Sequence, residues 1–130
     1  MKKNIILILF LLTILSCSDS KDGDWDDNIK LSQKEVRFSS DQNIAAISTQ
    51  GTGWWISEIS MDGELIELNG VDTTKENFTI EGTEFTFDRK NSKEIYISMK
   101  QNQTELERIL SIGLQAGNYF DGLKITQSPN

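Results

Sequence analysis

The chain has 130 residues, enough for one domain of ordinary size with a single core. Its 13 basic and 20 acidic side chains give a formal charge of −7, a surface that repels phosphate backbones and excludes nucleic acid as a natural partner. It contains no histidine, which removes the usual general base, the commonest metal ligand and the usual pH switch together.

The first element is an export signal over residues 1–16. Lys2 and Lys3 precede the apolar run Ile5 to Leu12. That run is too short to span a membrane, which takes about 20 apolar residues. Ile14-Leu15-Ser16-Cys17 follows, and it resembles a bacterial lipobox, with an aliphatic residue three before the cysteine and a small one just before it. Cleavage there makes Cys17 the acylated first residue of the mature chain, anchored through acyl chains whose CH₂ groups contribute about 0.8 kcal/mol each on burial. An unpaired cysteine in an exported protein has no better explanation, and lipidation leaves no thiol for disulfides, catalysis or metal.

Residues 17–28 read as an acidic tether. Ser18 to Asp24 resembles the short acidic signal that routes Bacteroidota lipoproteins to the outer membrane surface, which places the protein there, with the periplasmic face as the alternative. Asp22, Asp24 and Asp26 match the first positions of an EF-hand loop, but Asp27 stands where the turn glycine belongs and Gln33 where the bidentate glutamate belongs. The expectation is a solvated tether with no metal and no cofactor.

From residue 29 to 130 the chain is a series of short runs with period two. They are Ile29-x-Leu31, Val36-x-Phe38, Ile44 to Ser48, Trp54-x-Ile56, Leu65 to Leu68, Phe78-x-Ile80, Phe85-x-Phe87, Ile95 to Met99, Leu110 to Leu114 and Leu123-x-Ile125. Alternation over such lengths predicts strands with one buried face. Turn signals separate them, among them Gly51-Thr52-Gly53, Asp62-Gly63, Asn69-Gly70, Glu81-Gly82, Asn91-Ser92 and Gly117-Asn118. Thr104 to Arg108 is the only stretch that reads as a helical turn. This spacing predicts an all-β fold, an antiparallel β-sandwich following a cleaved signal peptide.

In their order these runs resemble the BACON domain, a Bacteroidetes-associated module named for presumed carbohydrate binding. The resemblance rests on Leu31-Ser32, Val36-Arg37-Phe38, Ile47-Ser48-Thr49, Trp54-Trp55-Ile56, Ile95 through Met99 with Asn102, Arg108 with Leu110 and Ile112, and Leu123-Lys124-Ile125-Thr126-Gln127. It covers about Ile29 to Gln127. The pattern departs at Met61 to Phe87, a polar and acidic stretch where the family often has a second tryptophan-bearing strand. The resemblance implies an immunoglobulin-like sandwich at the cell envelope that works on glycan or polysaccharide.

Trp54 and Trp55 must face opposite ways if they share a strand. The resemblance sets Trp54 in the core, and Trp55 outside becomes the first candidate for stacking on a sugar ring. Tyr119 and Phe120, beside Gly117, are the second aromatic pair. Asp72-Thr73-Thr74 resembles the O-glycosylation motif of exported Bacteroidota proteins and marks Thr73. No carboxylate pair stands out as the two acids of a glycosidase, and no serine or threonine has a histidine partner, so the chain is read as non-enzymatic. The alternative function is a structural or interaction subunit that pairs its edge strands with an envelope protein and binds no glycan.

Overall fold

A computed structural model describes residues 26–130; the export signal, Cys17 and Trp25 lie outside the described residues. The described residues form nine strands and no helix. They are β1 (Glu35–Phe38), β2 (Asn43–Ser48), β3 (Trp55–Met61), β4 (Glu64–Leu65), β5 (Phe78–Glu81), β6 (Phe85–Lys90), β7 (Glu94–Met99), β8 (Arg108–Ala116) and β9 (Tyr119–Gln127).

Two sheets result. One has the order β1-β9-β8-β3-β4, the other β2-β7-β6-β5. All pairings are antiparallel except β1 with β9, which run parallel in the register Glu35↔Lys124 to Phe38↔Gln127. β2, β7 and β6 thus stand where an immunoglobulin domain has strands B, E and D, and β3, β8 and β9 where it has C, F and G. The protein is an all-β, immunoglobulin-like sandwich.

Alternation decides which face is covered. On β8, Leu110, Ile112 and Leu114 are buried, and on β9 Leu123 and Ile125 are buried. Their opposites on the second sheet are Ile80, Phe85, Phe87, Ile95, Ile97 and Met99, and Phe78 stacks on Phe87 at 5.8 Å between ring centroids. Burial of this kind, about 25 cal/mol per Å² of apolar surface, is what holds a sandwich with no disulfide together.

The turns carry the conformations their residues favour. Asp62 and Gly63 both have positive φ, 51° and 84°, so the β3–β4 hairpin closes with the backbone twist that suits right-handed strands. Gly117, at φ 61°, opens the two-residue β8–β9 turn, where a first-position glycine gives a type II′ geometry.

Three expectations change. Ile29-x-Leu31 is not a strand: Lys30 turns to φ 53°, and only Leu31 bridges to Thr49. Ile29 is nonetheless fully buried, because its carbonyl accepts from the N–H groups of Gln50 and Gly51. Of the run Leu65 to Leu68 only Leu65 is in a strand, at the end of β4, since the chain turns away at Asn69-Gly70, where both residues have positive φ. Thr104 to Arg108 forms no helical turn; Asn102 captures the segment through its side chain, accepting from the Thr104 N–H at 3.0 Å and donating to the Leu106 carbonyl at 2.8 Å.

Candidate functional site: the outer face of the five-stranded sheet

The β3–β8–β9 face that points away from the core is arranged in rows across the strands. The first row is Trp55, Gln115 and Phe120, the second Glu58, Gly113 and Gly122, and the third Ser60, Ser111, Lys124 and Glu35. Two local features produce this order. The register shift between Ile56 and Glu58 is a bulge, which lets Trp55 and Glu58 share a face although they are three positions apart. The tight Gly117-Asn118 turn pairs Gln115 with Phe120, and Phe120 is 63% exposed.

Trp55 is half-buried, so part of its surface is open. Two strand spacings separate it from Phe120, about 9–10 Å. Next to this aromatic row the paired glycines leave a depression of about 340 Å³, lined by Glu35, Glu58, Ser111, Gly113, Gly122 and Lys124 among others. That is at the lower end of the roughly 300–1,000 Å³ typical of small-molecule sites. Glycine is required for the space: a Cβ on Gly113 stands 2.6 Å from Ser57 Oγ and 3.3 Å from Glu58 Cγ. The rim offers two carboxylates, an ammonium and a serine hydroxyl, hydrogen-bonding groups of both kinds around an apolar floor.

Of the candidates the sequence singles out, Trp55 and Phe120 share this face. Tyr119 does not. Its register partner is the buried Ala116, so its ring turns to the opposite face, where its hydroxyl donates to Asp121 Oδ2 at 2.9 Å. Lys34 Nζ binds the same carboxylate oxygen at 2.8 Å. Burial, and then the bond to Asp121, push the Tyr119 phenol up to about 12. Burial works against ionisation of Asp121, but its bonds from Lys34, the Gly122 N–H and Tyr119 outweigh it and hold the carboxyl below its ordinary range. The hydrogen bond to Asp121 raises Lys34 in turn. This cluster ties the segment before β1 to the start of β9 and is a structural clasp.

Thr73, the expected modification site, lies off this face. Thr73 is buried, with its hydroxyl accepting from the Ile56 N–H at 3.1 Å and donating to the Ile56 carbonyl at 3.3 Å, so it is not presented to a glycosyltransferase in the folded chain. The other half of that motif is a local turn, with Asp72 Oδ1 accepting from the Thr74 N–H at 3.0 Å. The bond from the Thr74 hydroxyl, and then that from its N–H, hold the Asp72 carboxyl below its usual value.

The sequence reading missed Arg89. It lies on the core side of β6 in line with Phe85 and Phe87, and is 1% exposed. Its guanidinium carbon stands 3.6 Å from the centroid of the Trp54 ring. Nε donates to Ser92 O at 3.1 Å, Nη2 to Thr52 O at 2.6 Å, and Nη1 to Trp54 O, Thr73 O and Lys75 O at 2.8, 3.3 and 3.1 Å. One side chain thereby closes the β2–β3 loop, the segment before β5 and the β6–β7 turn. Desolvation lowers the Arg89 pKa, and Glu76 opposes the shift. The signal was available, because the Phe85-x-Phe87 alternation continues to position 89.

Among the described residues no group of three potential metal ligands comes together. Neither a family model nor a curated protein matches the chain. Among solved structures, a protein from Bacteroides thetaiotaomicron determined by NMR is similar with a TM-score of 0.65 at 21% identity, over 87% of this chain and 95% of that one. At that identity the match establishes the fold. Two titin domains are more distant: M4, with a TM-score of 0.46 at 7% identity over 78% of this chain and 91% of its own, and M7, with 0.44 at 10% over 82% and 99%.

Proposed function

We propose that this chain is a non-enzymatic envelope lipoprotein of the BACON type, anchored through Cys17, that binds glycan on the outer face of its five-stranded sheet. The observation that carries the reading is the aromatic row Trp55 and Phe120 beside a glycine-floored depression with a polar rim. A partly open indole offers a stacking surface to the apolar side of a pyranose ring, and the neighbouring carboxylates and ammonium can reach hydroxyls at the ring's edge. The site is open and shallow, which suits an extended polysaccharide passing over it.

The test is native gel migration of the chain without residues 1–17 in a panel of host and plant polysaccharides, with Trp55→Ala, Phe120→Ala and Tyr119→Phe alongside. Retardation should fall with the first two variants and persist in the third. Migration unaffected by every glycan rejects the reading and leaves a structural or interaction subunit. Retardation that survives both Trp55→Ala and Phe120→Ala rejects this face as the site.

A further inference from the structure

The four sheet edges are not protected alike. β1 carries Glu35 and Arg37, β4 is two residues long and begins with Glu64, and β5 ends in Glu81. Charge and shortness are the usual defences of an edge against pairing with another chain. β2, Asn-Ile-Ala-Ala-Ile-Ser over 43–48, has neither a charge nor a proline, in a chain with a net charge of −7.

The direction of its free groups follows from one contact. Ser48 O accepts from the Ser32 N–H at 2.8 Å, and the Ser48 N–H donates to Ser32 Oγ at 2.9 Å, so the polar backbone of Ser48 points away from β7. In an antiparallel pair this direction alternates with period two, so the N–H and C=O of Ala46 and Ile44 point the same way. Among the described residues neither has a partner on that side. The outward side chains beside them are also uncharged: Ile44 is 69% exposed, and its neighbours on β7 are Tyr96 and Ser98.

We infer that β2 pairs antiparallel with β2 of a second copy of this chain, about a two-fold axis at Ala45. In that register Ile44 of each copy lies opposite Ala46 of the other. Each such pair exchanges an N–H···O=C bond in both directions, which satisfies the free groups of Ile44 and Ala46 on both copies. The second copy is the occupant the edge fits, because the uncharged strand sets no like charges against each other across the seam and its two free residues, Ile44 and Ala46, stand symmetrically about Ala45 and so complement one another. Ser32 has already taken Ser48, so the ladder ends there and the contact is isologous and closed, giving a dimer and no fibre. Its buried area is below that of standard interfaces, and the dimer is accordingly weak and reversible. The inference is independent of glycan binding, since β2 belongs to the other sheet.

The experiment is disulfide trapping in the full chain carrying Cys17→Ser. Ala45→Cys places two thiols across the axis, where Cα atoms of a non-hydrogen-bonded pair lie about 4.5 Å apart, within disulfide reach. Asn43→Cys sits on the same face but about 13 Å from its equivalent, out of reach. Mild oxidation is expected to link Ala45→Cys into dimers on the order of tenfold faster than Asn43→Cys, as set by that difference in reach. Ala46→Pro, which removes an outward N–H and leaves the β7 ladder intact, should abolish the link. Ile44→Lys, which sets a charge on the edge, should do the same and decides the matter if the proline variant loses its fold by tryptophan fluorescence. Equal linking at positions 43 and 45, no linking at either, or linking that survives Ile44→Lys overturns the inference.

Discussion

Replacing Arg89 with lysine keeps the charge and most of the length, and it isolates what the planar fork contributes. The guanidinium reaches carbonyls of Thr52, Trp54, Thr73, Lys75 and Ser92 from three nitrogens spread across its plane. An ammonium has three N–H groups on one nitrogen and cannot reach three loops at once. At least two carbonyls then lose a charged donor, each worth about 1.5–3 kcal/mol where buried. The carbonyls of Thr52 and Lys75 are only partly buried and regain water, which brings the total towards the lower bound. Loss of the stack on Trp54 adds about 1–2 kcal/mol for a desolvated cation over an indole. The expected cost of Arg89→Lys is therefore about 4–5 kcal/mol, a large share of the 5–15 kcal/mol that a domain of this kind has in all. Urea unfolding followed by tryptophan fluorescence measures it, with the midpoint falling and the slope unchanged. A cost below about 1 kcal/mol, the level of an ordinary surface substitution, refutes the idea that fork geometry closes this end of the sandwich.

Gly51→Ala should free the entry segment, because a Cβ at that position stands 1.9 Å from the Asn28 carbonyl oxygen. Hydrogen exchange at the N–H groups of Gln50 and Gly51, which now bond Ile29 O, should accelerate, and unchanged protection sinks the account. Gly113→Val should fill the depression beside the aromatic row and weaken glycan retardation while Trp55 stays in place; retention equal to wild type means the ligand does not use the floor. The Asp121 clasp sets a pH window. Asp121 is held below its unfolded value of about 3.9, so its contribution is present above that pH and is lost as pH falls through the native pKa. Tyr119 is raised, so its contribution is complete below its unfolded value of about 10 and is lost as pH rises through about 12. Tyr119→Phe should flatten the alkaline limb of a stability-against-pH curve, and an unchanged slope between those two values assigns the loss elsewhere.

The strand alternation was legible almost everywhere, because one face of every strand but β4 meets the core and period two cannot be hidden. It misled where the backbone left the extended region at Lys30 and at Asn69-Gly70, since a local φ reversal does not disturb the spacing of apolar residues. The aromatic candidates were legible as surface residues only in part: alternation separates Trp54 from Trp55 and Tyr119 from Phe120, but which of each pair faces out depends on strand register. Register across β8 placed Phe120 with Trp55 and sent Tyr119 to the clasp.

What stayed hidden were the polar ends of the alternating runs. Phe85-x-Phe87-x-Arg89 and Leu123-x-Ile125-x-Gln127 each carry the core face one step past the last apolar residue, and Arg89 and Gln127 are as buried as their neighbours. Gln127 donates to the carbonyls of Asp41 and Lys100 at 3.2 and 2.8 Å, and Asn102 binds Leu106 and Ser128, so these side chains close one end of the sandwich as Arg89 closes the other. Period two reaches both positions, but hydrophobicity does not mark them, because their donors are compensated by loop carbonyls that only the folded chain brings near. Asn102 and Gln127 also belong to the pattern on which the resemblance to the BACON domain rests. Their contacts are all within the fold, so that part of the resemblance marks how the sandwich is closed. On the proposed reading, specificity for a ligand is therefore assigned to the outer face, to Trp55, Glu58 and Phe120.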